Sequence, residues 1–418
     1  MDRPIVVIGA GLAGLVCARR LYRYGHDVLV LDADDRPGGR MKTDLVDGFR
    51  LDRGFQVYFD QYPYTEAELN EEALCLQPFE PGALVVWDGK REEVNRDMPL
   101  HMAFSGFLPL NDKLRTLGLS AELKGMDDED IWRMPDDTAV NFLRAHGFSD
   151  TFLAKFARPF FGGVFLDRSL QESARMFAFV WKMMNEGRTT VPALGMEEIP
   201  KQVAADIPVR CFRFGVRVDS LATESGKVSG VRLASGEVIE AGQVVVATDA
   251  ATAERLTGTA TGVTFKGSTT IYYAANDRPT DQPMLVVNGN QGGQVNHVAV
   301  MSRVSTAYGD GKHHLISATI LGDAVGTDDQ IAAEARYEVK SWCPELQTSQ
   351  WRPLRVDRIA HAQMVQPPGF HDHRPGPTTS TEGVYLAGEY TTYSGIDGAV
   401  LSGRRAADAL MAANSVPV

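Results

Sequence analysis

Apolar runs and glycine-rich turns predict two strands and one helix at the start of the chain. Residues 5–8 (IVVI) are a continuous apolar run, typical of a strand that is buried on both faces. Apolar residues then recur at helical spacing from Leu15 to Tyr24, and Gly25 can end this helix. Residues 27–32 (DVLVLD) predict the next buried strand, so the first 32 residues form one βαβ unit.

After this unit the hydrophobic period changes several times. We predict a mainly helical region from about residue 60 to 205, with helices over 137–146 and 170–186. A meander of strands follows over 216–248, and then a strand-rich region over 263–322 with a hairpin at Asn288-Gly289. The last predicted elements are a helix over 328–342 and a strand, glycine and helix over 384–413. The chain therefore ends with the same strand–glycine–helix order with which it begins.

A glycine fingerprint lies between the first strand and the first helix. Gly9, Gly11 and Gly14 have the GxGxxG spacing: the first permits a tight turn, the second a close pyrophosphate and the third close packing of helix and strand. Asp32 ends the second strand, where a carboxylate can hydrogen-bond a ribose hydroxyl. The positive end of the helix faces the phosphates. Together these features predict a dinucleotide site.

The pattern predicts an α/β protein with two domains. A Rossmann-like nucleotide domain would be assembled from residues 1–60, 205–262 and 355–418. An α+β substrate-binding domain would be inserted in two parts, a helical one over 61–204 and a β-rich one over 263–354. No low-complexity linker marks these boundaries.

Two more motifs carry glycines where a ligand could approach the backbone. Residues 36–40 (RPGGR) follow the second strand, and the last arginine can neutralise a phosphate. Near the C-terminus, residues 384–389 (VYLAGE) predict a strand that ends in an acid. A helix follows over 398–413, and its positive end can stabilise negative charge on a bound ring.

These three motifs, in this order and at these chain ends, resemble the flavin-dependent amine oxidase superfamily, which includes phytoene desaturases and protoporphyrinogen oxidases. The resemblance is specific over residues 5–56 and 384–405 and diffuse between them. It implies a GR2-type flavoprotein fold and FAD rather than NAD as cofactor. We expect FAD to be bound non-covalently, because no cysteine lies in the flavin-side C-terminal segment.

The resemblance also implies which residues hold the cofactor. The ADP half would be held by Gly9, Gly11, Gly14 and Asp32, and the adenine by the backbone of Val218. The pyrophosphate and ribityl region would be held by Gly38, Gly39 and Arg40, and the strand beside the isoalloxazine would contain Gly54, Phe55 and Gln56. The ribityl chain and the flavin ring would be held by Gly388, Glu389, Gly398 and Ala399. Glu389 replaces the more usual Asp, and Asp32 the more usual Glu, but both positions keep an acid.

The resemblance implies transfer of a hydride equivalent from a substrate carbon to flavin N5. We expect phytoene desaturase-like oxidation or desaturation of a largely apolar small organic substrate, with O2 or a quinone as electron acceptor. Amine oxidation to an imine with release of hydrogen peroxide is the alternative. Alternatives of another class are a non-redox FAD-dependent isomerase and an FAD-binding protein without turnover.

The catalytic residues stay open at this level. Lys266 is a candidate because amine oxidation in this superfamily commonly uses a lysine near N5, but we expect Lys266 to lie in solvent at a strand start. Tyr390 and Tyr393 follow the flavin strand and could either line the substrate face or pack in the interior. The aromatic segments 160–165 and 177–181 could form an apolar substrate wall or an ordinary core.

Composition and charge limit the classes of binding partner that we expect for this protein. The chain has 418 residues, 42 basic against 54 acidic side chains and a net charge of -12, with no long basic block, so we expect no nucleic-acid partner. No apolar run is long enough to span a membrane. We expect a cytoplasmic protein, with residues 98–119 either touching a membrane surface or forming a buried cap.

Histidines and cysteines give no metal site. The four cysteines are scattered, which argues against both a zinc site and a disulfide framework. The pairs His313-His314 and His371-x-His373 have no apparent third ligand, so we expect exposed loop histidines and no metal.

Overall fold

The computed structural model describes residues 3–95, 106–290 and 292–415. A five-stranded parallel sheet holds both ends of the chain. Its strands, in spatial order, are Phe212–Arg213, Val28–Leu31, Ile5–Ile8, Gln243–Val246 and Val384–Leu386. All five come from the segments predicted for the nucleotide domain, and the α/β class is confirmed. The inner strands are apolar on both faces because both faces are covered.

Two helices cover one face of the parallel sheet and a small sheet covers the other. Helix Leu12–Arg23 packs against helix Ile396–Ser415, where an added Cβ on Gly403 would overlap the carbonyl oxygen of Ala13. Only glycine allows the helices to approach this closely. The predicted meander covers the opposite face with strands Val218–Glu224, Lys227–Leu233 and Val238–Glu240.

A second large sheet has seven strands and is mostly antiparallel. Its spatial order is Arg352–Met364, Phe265–Ala275, His314–Leu321, Val295–Val300, Leu285–Asn288, Ala83–Trp87 and Lys90–Val94. Helix Asp328–Trp342 packs on one face through residues such as Ile331 and Val339, and the other face borders a large cavity. The first strand of this order passes the expected domain boundary between residues 354 and 355.

A cluster of helices closes the cavity from the side. They are Leu110–Lys124, Asp128–Arg133, Ala139–Ala145, Asp150–Phe152, Arg158–Phe165 and Ala174–Glu186, with a π-turn over Leu153–Ala157. Their inner sides form an aromatic core in which Phe161 stacks on Trp181 with ring centroids 5.5 Å apart. Aromatic pairs at this spacing stabilise a core beyond the area that they bury.

The interpretation of residues 60–205 as mainly helical misses a β-hairpin. Strands Ala83–Trp87 and Lys90–Val94 are joined by Asp88-Gly89, whose φ angles are +49° and +72°. Such an Asp-Gly turn is a strong hairpin signal, so the sequence did contain the evidence. Of the segment 98–119, residues 98–105 lie outside the described residues, and the rest leads into helix Leu110–Lys124.

The other predicted elements agree with the structure within a few residues. The helix predicted from Leu15 begins at Leu12, and strands Leu285–Asn288 and Val295–Val300 form the predicted hairpin. The described part of the chain also contains shorter elements. The strands among them are Thr43–Val46, Phe49–Asp52, Tyr58–Phe59, Gln77–Pro78 and Thr189–Val191. The helices are Glu71–Leu74, Glu198–Ala205, Ala250–Thr257, Met301–Val304 and Phe370–His373, and the 3-10 turns are Val209–Cys211, Thr306–Tyr308, Thr348–Gln350 and Glu389–Thr391.

Candidate functional site

The glycine loop after the first strand forms one end of the cavity. Gly9 has φ +109°, and an added Cβ there would lie 2.5 Å from the carbonyl oxygen of Ala247. Both facts require glycine at this position. An added Cβ on Gly11 would meet no atom within 4 Å in the described part of the chain. Because Gly11 lines the cavity, its backbone is open to a ligand.

Gly14 and Asp32 complete this loop. An added Cβ on Gly14 would overlap the carbonyl oxygen of Gly9, so the glycine lets the helix lie close to the strand. The Asp32 carboxylate accepts hydrogen bonds from the N–H of Ala10 at 2.5 Å and from the N–H of Asp34 at 2.7 Å. These bonds hold the acid at the cavity wall, beside the glycine loop.

Most of the predicted cofactor residues border this one cavity. Lining residues among them are Gly9, Gly11, Asp32, Gly38, Gly39, Arg40, Gly54, Phe55, Gln56, Val218, Gly388, Glu389 and Ala399. Gly14 and Gly398 do not line it; at each, an added Cβ would overlap a backbone carbonyl oxygen. Their glycines therefore serve packing.

Hydrogen bonds join the separate motifs around the cavity. Gly38 forms a bridge with Gly11, and the side-chain amide of Gln56 donates to the Arg40 carbonyl at 3.1 Å. The guanidinium of Arg40 forms an ion pair with the Glu389 carboxylate. The first, second and C-terminal motifs therefore meet, as their resemblance implies.

The three weak catalytic candidates have different surroundings. Lys266 is not in solvent: its side chain is 15% exposed, pairs with Glu172 and does not line the cavity, because the helical region covers the strand start. Tyr390 lines the cavity, but its hydroxyl donates to the Ala387 carbonyl at 3.3 Å. Tyr393 is buried away from the cavity, where its hydroxyl donates to Asp397.

The cavity has a volume of about 1140 Å³ and two unlike walls. On the helical side many lining side chains are aromatic or aliphatic, including Phe152, Phe156, Phe160, Phe161, Val180 and Trp181, and a few are polar or charged, among them Lys113, Ser120 and Asn185. On the side of the seven-stranded sheet they include Ser268, Asn296, His297, Thr319 and Gln363. Of the two predicted aromatic segments, 160–165 thus contributes mainly to the wall, whereas Phe177 and Phe179 pack in the core.

Burial controls the charge of two titratable groups near the cavity. Burial, together with the positive charge of Arg168, lowers the pKa of His297 to about 4. Burial raises the pKa of Asp397 to about 6, although Tyr393 and the N–H groups of Tyr64 and Thr65 donate hydrogen bonds to it. His297 is therefore neutral at pH 7, whereas Asp397 titrates close to that pH.

His297 and Thr319 are site residues that the sequence analysis missed. Both stand in mainly apolar strands, Val295–Val300 and His314–Leu321, which also carry other polar residues such as Asn296 and Ser317, so no local signal singles them out. Among the histidines that were expected in exposed loops, His314 instead begins a strand and is half-buried, and His371 is buried. His371 is 7% exposed and packs 4.6 Å from the Trp132 ring, because the short helix Phe370–His373 is folded against the helical region.

No group of three or more His, Cys, Asp or Glu side chains suited to a metal occurs among the residues that the structure describes. The donor set around the glycine loop suits a dinucleotide instead. The open backbone face at Gly11 leaves room for a phosphate, and Asp32 is held beside it by two backbone N–H groups. The residues present therefore fit a dinucleotide cofactor.

Comparison with known proteins decides the family. Residues 12–411 match the family described as flavin containing amine oxidoreductase. The chain belongs to this family. Membership implies a flavin cofactor, in agreement with the cavity at the glycine loop.

Members of this flavin amine oxidoreductase family differ widely in sequence. The chain is 29% identical over 280 residues to a neurosporene-forming phytoene desaturase from Cereibacter sphaeroides, covering 60% of this chain and 53% of that protein. It is 32% identical over 149 residues to an L-glutamate oxidase precursor from Streptomyces diastatochromogenes, covering 34% of this chain and 21% of the precursor. The chain thus spans about half the length, or less, of these curated relatives.

Solved structures share the fold with this family member. A crystal structure of an oxidoreductase from Methanosarcina mazei has a TM-score of 0.74 at 17% identity, covering 96% of this chain and 99% of that chain. In the described part of this chain, no helix is both long and apolar enough to cross a bilayer.

Proposed function

We propose that this protein is an FAD-dependent oxidoreductase that binds FAD non-covalently and oxidises or desaturates a largely apolar organic substrate. The observation that carries the proposal is one continuous cavity with Gly11 and Asp32 at one end and the aromatic helices at the other. The chemistry that FAD supplies when bound is acceptance of a hydride equivalent at flavin N5. We propose O2 or a quinone as the final electron acceptor.

The chain's own residues support this function by binding, orientation and exclusion of water. The glycine loop and Asp32 suit the ADP half, and Phe55, which contacts the ring of His297 with centroids 4.9 Å apart, stands between that end and the sheet wall. Phe156 and Phe160, stacked at 5.1 Å, suit a flat apolar body and keep water out.

Amine oxidation has less support from the candidate residues. Lys266 is held by Glu172 outside the cavity lining, and the hydroxyl of Tyr393 is held by Asp397. Desaturation of an apolar body needs apolar contacts, and the aromatic side chains of the helical wall supply them, although Lys113 of helix Leu110–Lys124 also lines the cavity.

The test begins with the purified, FAD-loaded protein under anaerobic conditions. Apolar polyenes, amines and tetrapyrrole precursors are added separately, and bleaching of the flavin absorbance is followed before and after admission of air. We expect bleaching by polyenes and no bleaching by amines. Bleaching by amines alone, turnover without net oxidation, or a protein that never takes up flavin would each contradict the proposal in a distinguishable way.

A matched pair of variants tests the aromatic wall. Phe156 lines the cavity, whereas Phe142 packs outside it against the His146 ring. Phe156→Ser should lower the rate of flavin bleaching by a polyene at least tenfold while FAD content is unchanged, because the apolar contact is lost. Phe142→Ser should leave that rate within about twofold; equal effects of the two variants would argue against a substrate wall.

We also propose peripheral contact of the cavity mouth with a membrane. Leu110, Leu114 and Leu117 line the cavity and are 61%, 58% and 65% exposed along one helix. An exposed apolar stripe of this kind suits a lipid surface. In sedimentation with phosphatidylcholine vesicles, Leu114→Glu should reduce the bound fraction, and Leu45→Glu at an exposed strand elsewhere should not.

A further inference from the structure

Two buried polar residues contribute to the cavity lining from neighbouring strands of the seven-stranded sheet. His297 and Thr319 are paired in register, line the cavity and are 3% and 2% exposed. Within the described ranges, neither Nε2 of His297 nor Oγ1 of Thr319 has a hydrogen-bond partner. A buried polar group without a partner is destabilising, so such groups commonly mark the place of a ligand or of bound water.

Hydrogen bonds among three side chains determine which ring nitrogen of His297 carries the proton. The guanidinium of Arg168 donates from Nε to the amide oxygen of Asn296 at 2.7 Å, which orients that amide. The amide nitrogen of Asn296 then lies 3.2 Å from Nδ1 of His297 and also donates to the Pro159 carbonyl at 3.2 Å. An amide nitrogen only donates, so Nδ1 must accept and the imidazole proton resides on Nε2.

The same arrangement keeps the imidazole neutral. Among the described residues, Arg168 donates hydrogen bonds to neutral oxygens, those of the Asn296 side chain and of the Asn288 and Asn290 carbonyls. Its positive charge near the buried ring disfavours a second proton on His297. His297 therefore carries an N–H donor on a neutral ring, beside a hydroxyl that can also donate.

We propose that the substrate is amphipathic, with an apolar body against the aromatic helices and an acceptor oxygen that receives the Nε2–H of His297 and the Thr319 hydroxyl. This inference rests on the proposed function, since it concerns the same cavity, and it narrows the substrate class. A pure hydrocarbon would leave both donors without a hydrogen-bond partner. A carbonyl or a carboxylate has the required acceptor.

Two probe molecules of the same shape test whether an acceptor oxygen by itself increases the binding affinity. In 2-acetylnaphthalene a carbonyl oxygen stands where 2-isopropenylnaphthalene has a methylene group, so their apolar surfaces match. Binding of each to the FAD-loaded full chain is measured by titration calorimetry. We expect the ketone to bind at least fivefold more tightly, because an unpaired buried donor costs about 1–3 kcal/mol, which is about 5- to 160-fold in affinity. A third probe, 2-naphthoate, distinguishes a carboxylate from a carbonyl.

Variants assign the preference to the two donors. His297→Phe should remove most of the ketone preference, and Thr319→Val, which keeps the side-chain shape, should remove a smaller part. His371→Phe is the matched control, because His371 is also a buried histidine but does not line the cavity. It should keep the wild-type preference. His297→Gln retains an N–H donor and should restore part of the preference.

Asn296 is a positioning residue, and its role has a spectroscopic readout. With 15N-labelled histidine, NMR should show His297 as the neutral, Nε2-protonated tautomer in the wild type, and a mixture of tautomers in Asn296→Leu. A wild-type protein that loads FAD but binds both naphthalenes equally, or binds neither, overturns the inference and leaves the oxidoreductase proposal standing. Failure to load FAD or to bleach with any donor is the separate failure of that proposal.

Discussion

Arg40 and Glu389 form an ion pair at the cavity although they are 349 residues apart in the chain. The Glu389 side chain is 7% exposed and also accepts hydrogen bonds from Ser394 Oγ at 3.1 Å and from the Gly395 N–H at 2.9 Å. The pair therefore ties the loop over residues 36–40 to the segment that joins the last strand to the last helix. A charge so enclosed depends on its partner.

Removal of Arg40 should affect stability and FAD binding separately. Arg40→Met leaves the Glu389 carboxylate buried without its cation, so we expect a loss of about 2 kcal/mol in the free energy of unfolding, discounted because Arg40 is 51% exposed. FAD affinity should fall at least tenfold if Arg40 also serves the pyrophosphate.

The double variant Arg40→Met/Glu389→Gln separates the two effects. It should recover most of the lost stability, because no unpaired charge remains, but not the FAD affinity. Urea unfolding and flavin fluorescence titration measure the two quantities. Recovery of FAD affinity in the double variant would show that Arg40 acts only through Glu389.

Alanine substitutions at two glycines of the same fingerprint should affect different quantities, FAD affinity at Gly11 and stability at Gly14. Gly11→Ala places a methyl group in open cavity space, so the melting temperature should change by no more than about 2 °C while FAD affinity falls at least tenfold. Gly14→Ala would overlap the Gly9 carbonyl, so it should cost about 2–3 kcal/mol of stability. Unchanged FAD affinity in Gly11→Ala would contradict pyrophosphate binding there.

Lys266 should prove to be a structural residue. It pairs with Glu172, whose side chain is 2% exposed, and also donates to the Phe165 carbonyl at 3.0 Å. Lys266→Met should lower the free energy of unfolding by about 3 kcal/mol, and adding Glu172→Gln should restore much of it. The rate of flavin bleaching per loaded enzyme should stay within about twofold; a hundredfold loss with unchanged stability would indicate a flavin role instead.

Asp397 should make the protein more stable as the pH falls from neutrality. Its pKa is raised from 3.8 to about 6, so the folded state binds the proton more tightly than the unfolded chain between these values. Relative to Asp397→Asn, the wild type should gain about 2 kcal/mol between pH 7.5 and pH 4.5. Urea unfolding of both proteins at the two pH values measures this difference, and a pH-independent difference would contradict it.

Much of the nucleotide end follows from local pattern. Gly9, Gly11 and Asp32 occupy the expected places because a buried strand, a tight turn and a helix are each specified by residues close together in sequence. The long-range meeting of residues 384–389 with the first βαβ unit was predictable only because both motifs resemble those of one family. The motif over residues 36–40, which follows that unit, contacts residues 384–389 through the Arg40–Glu389 pair.

The Asp88-Gly89 hairpin and the position of Lys266 show where sequence reasoning failed for different reasons. The hairpin had a local turn signal that was overridden by the helical patterns around it. Lys266 had no local signal, because its partner Glu172 lies 94 residues away in another part of the fold. A lysine at a strand start is exposed unless another element covers it.

The sequence alone determined the βαβ start, the dinucleotide fingerprint and the family to which the chain belongs, since these depend on residues a few positions apart. The tertiary structure alone decided the character of the substrate chamber. Arg168, Asn296 and His297 form one hydrogen-bonded chain only because a helix end is packed against the middle of a sheet. Such nonlocal packing leaves no periodicity in the sequence, and it adds His297 and Thr319 to a cavity lining that is otherwise rich in apolar side chains.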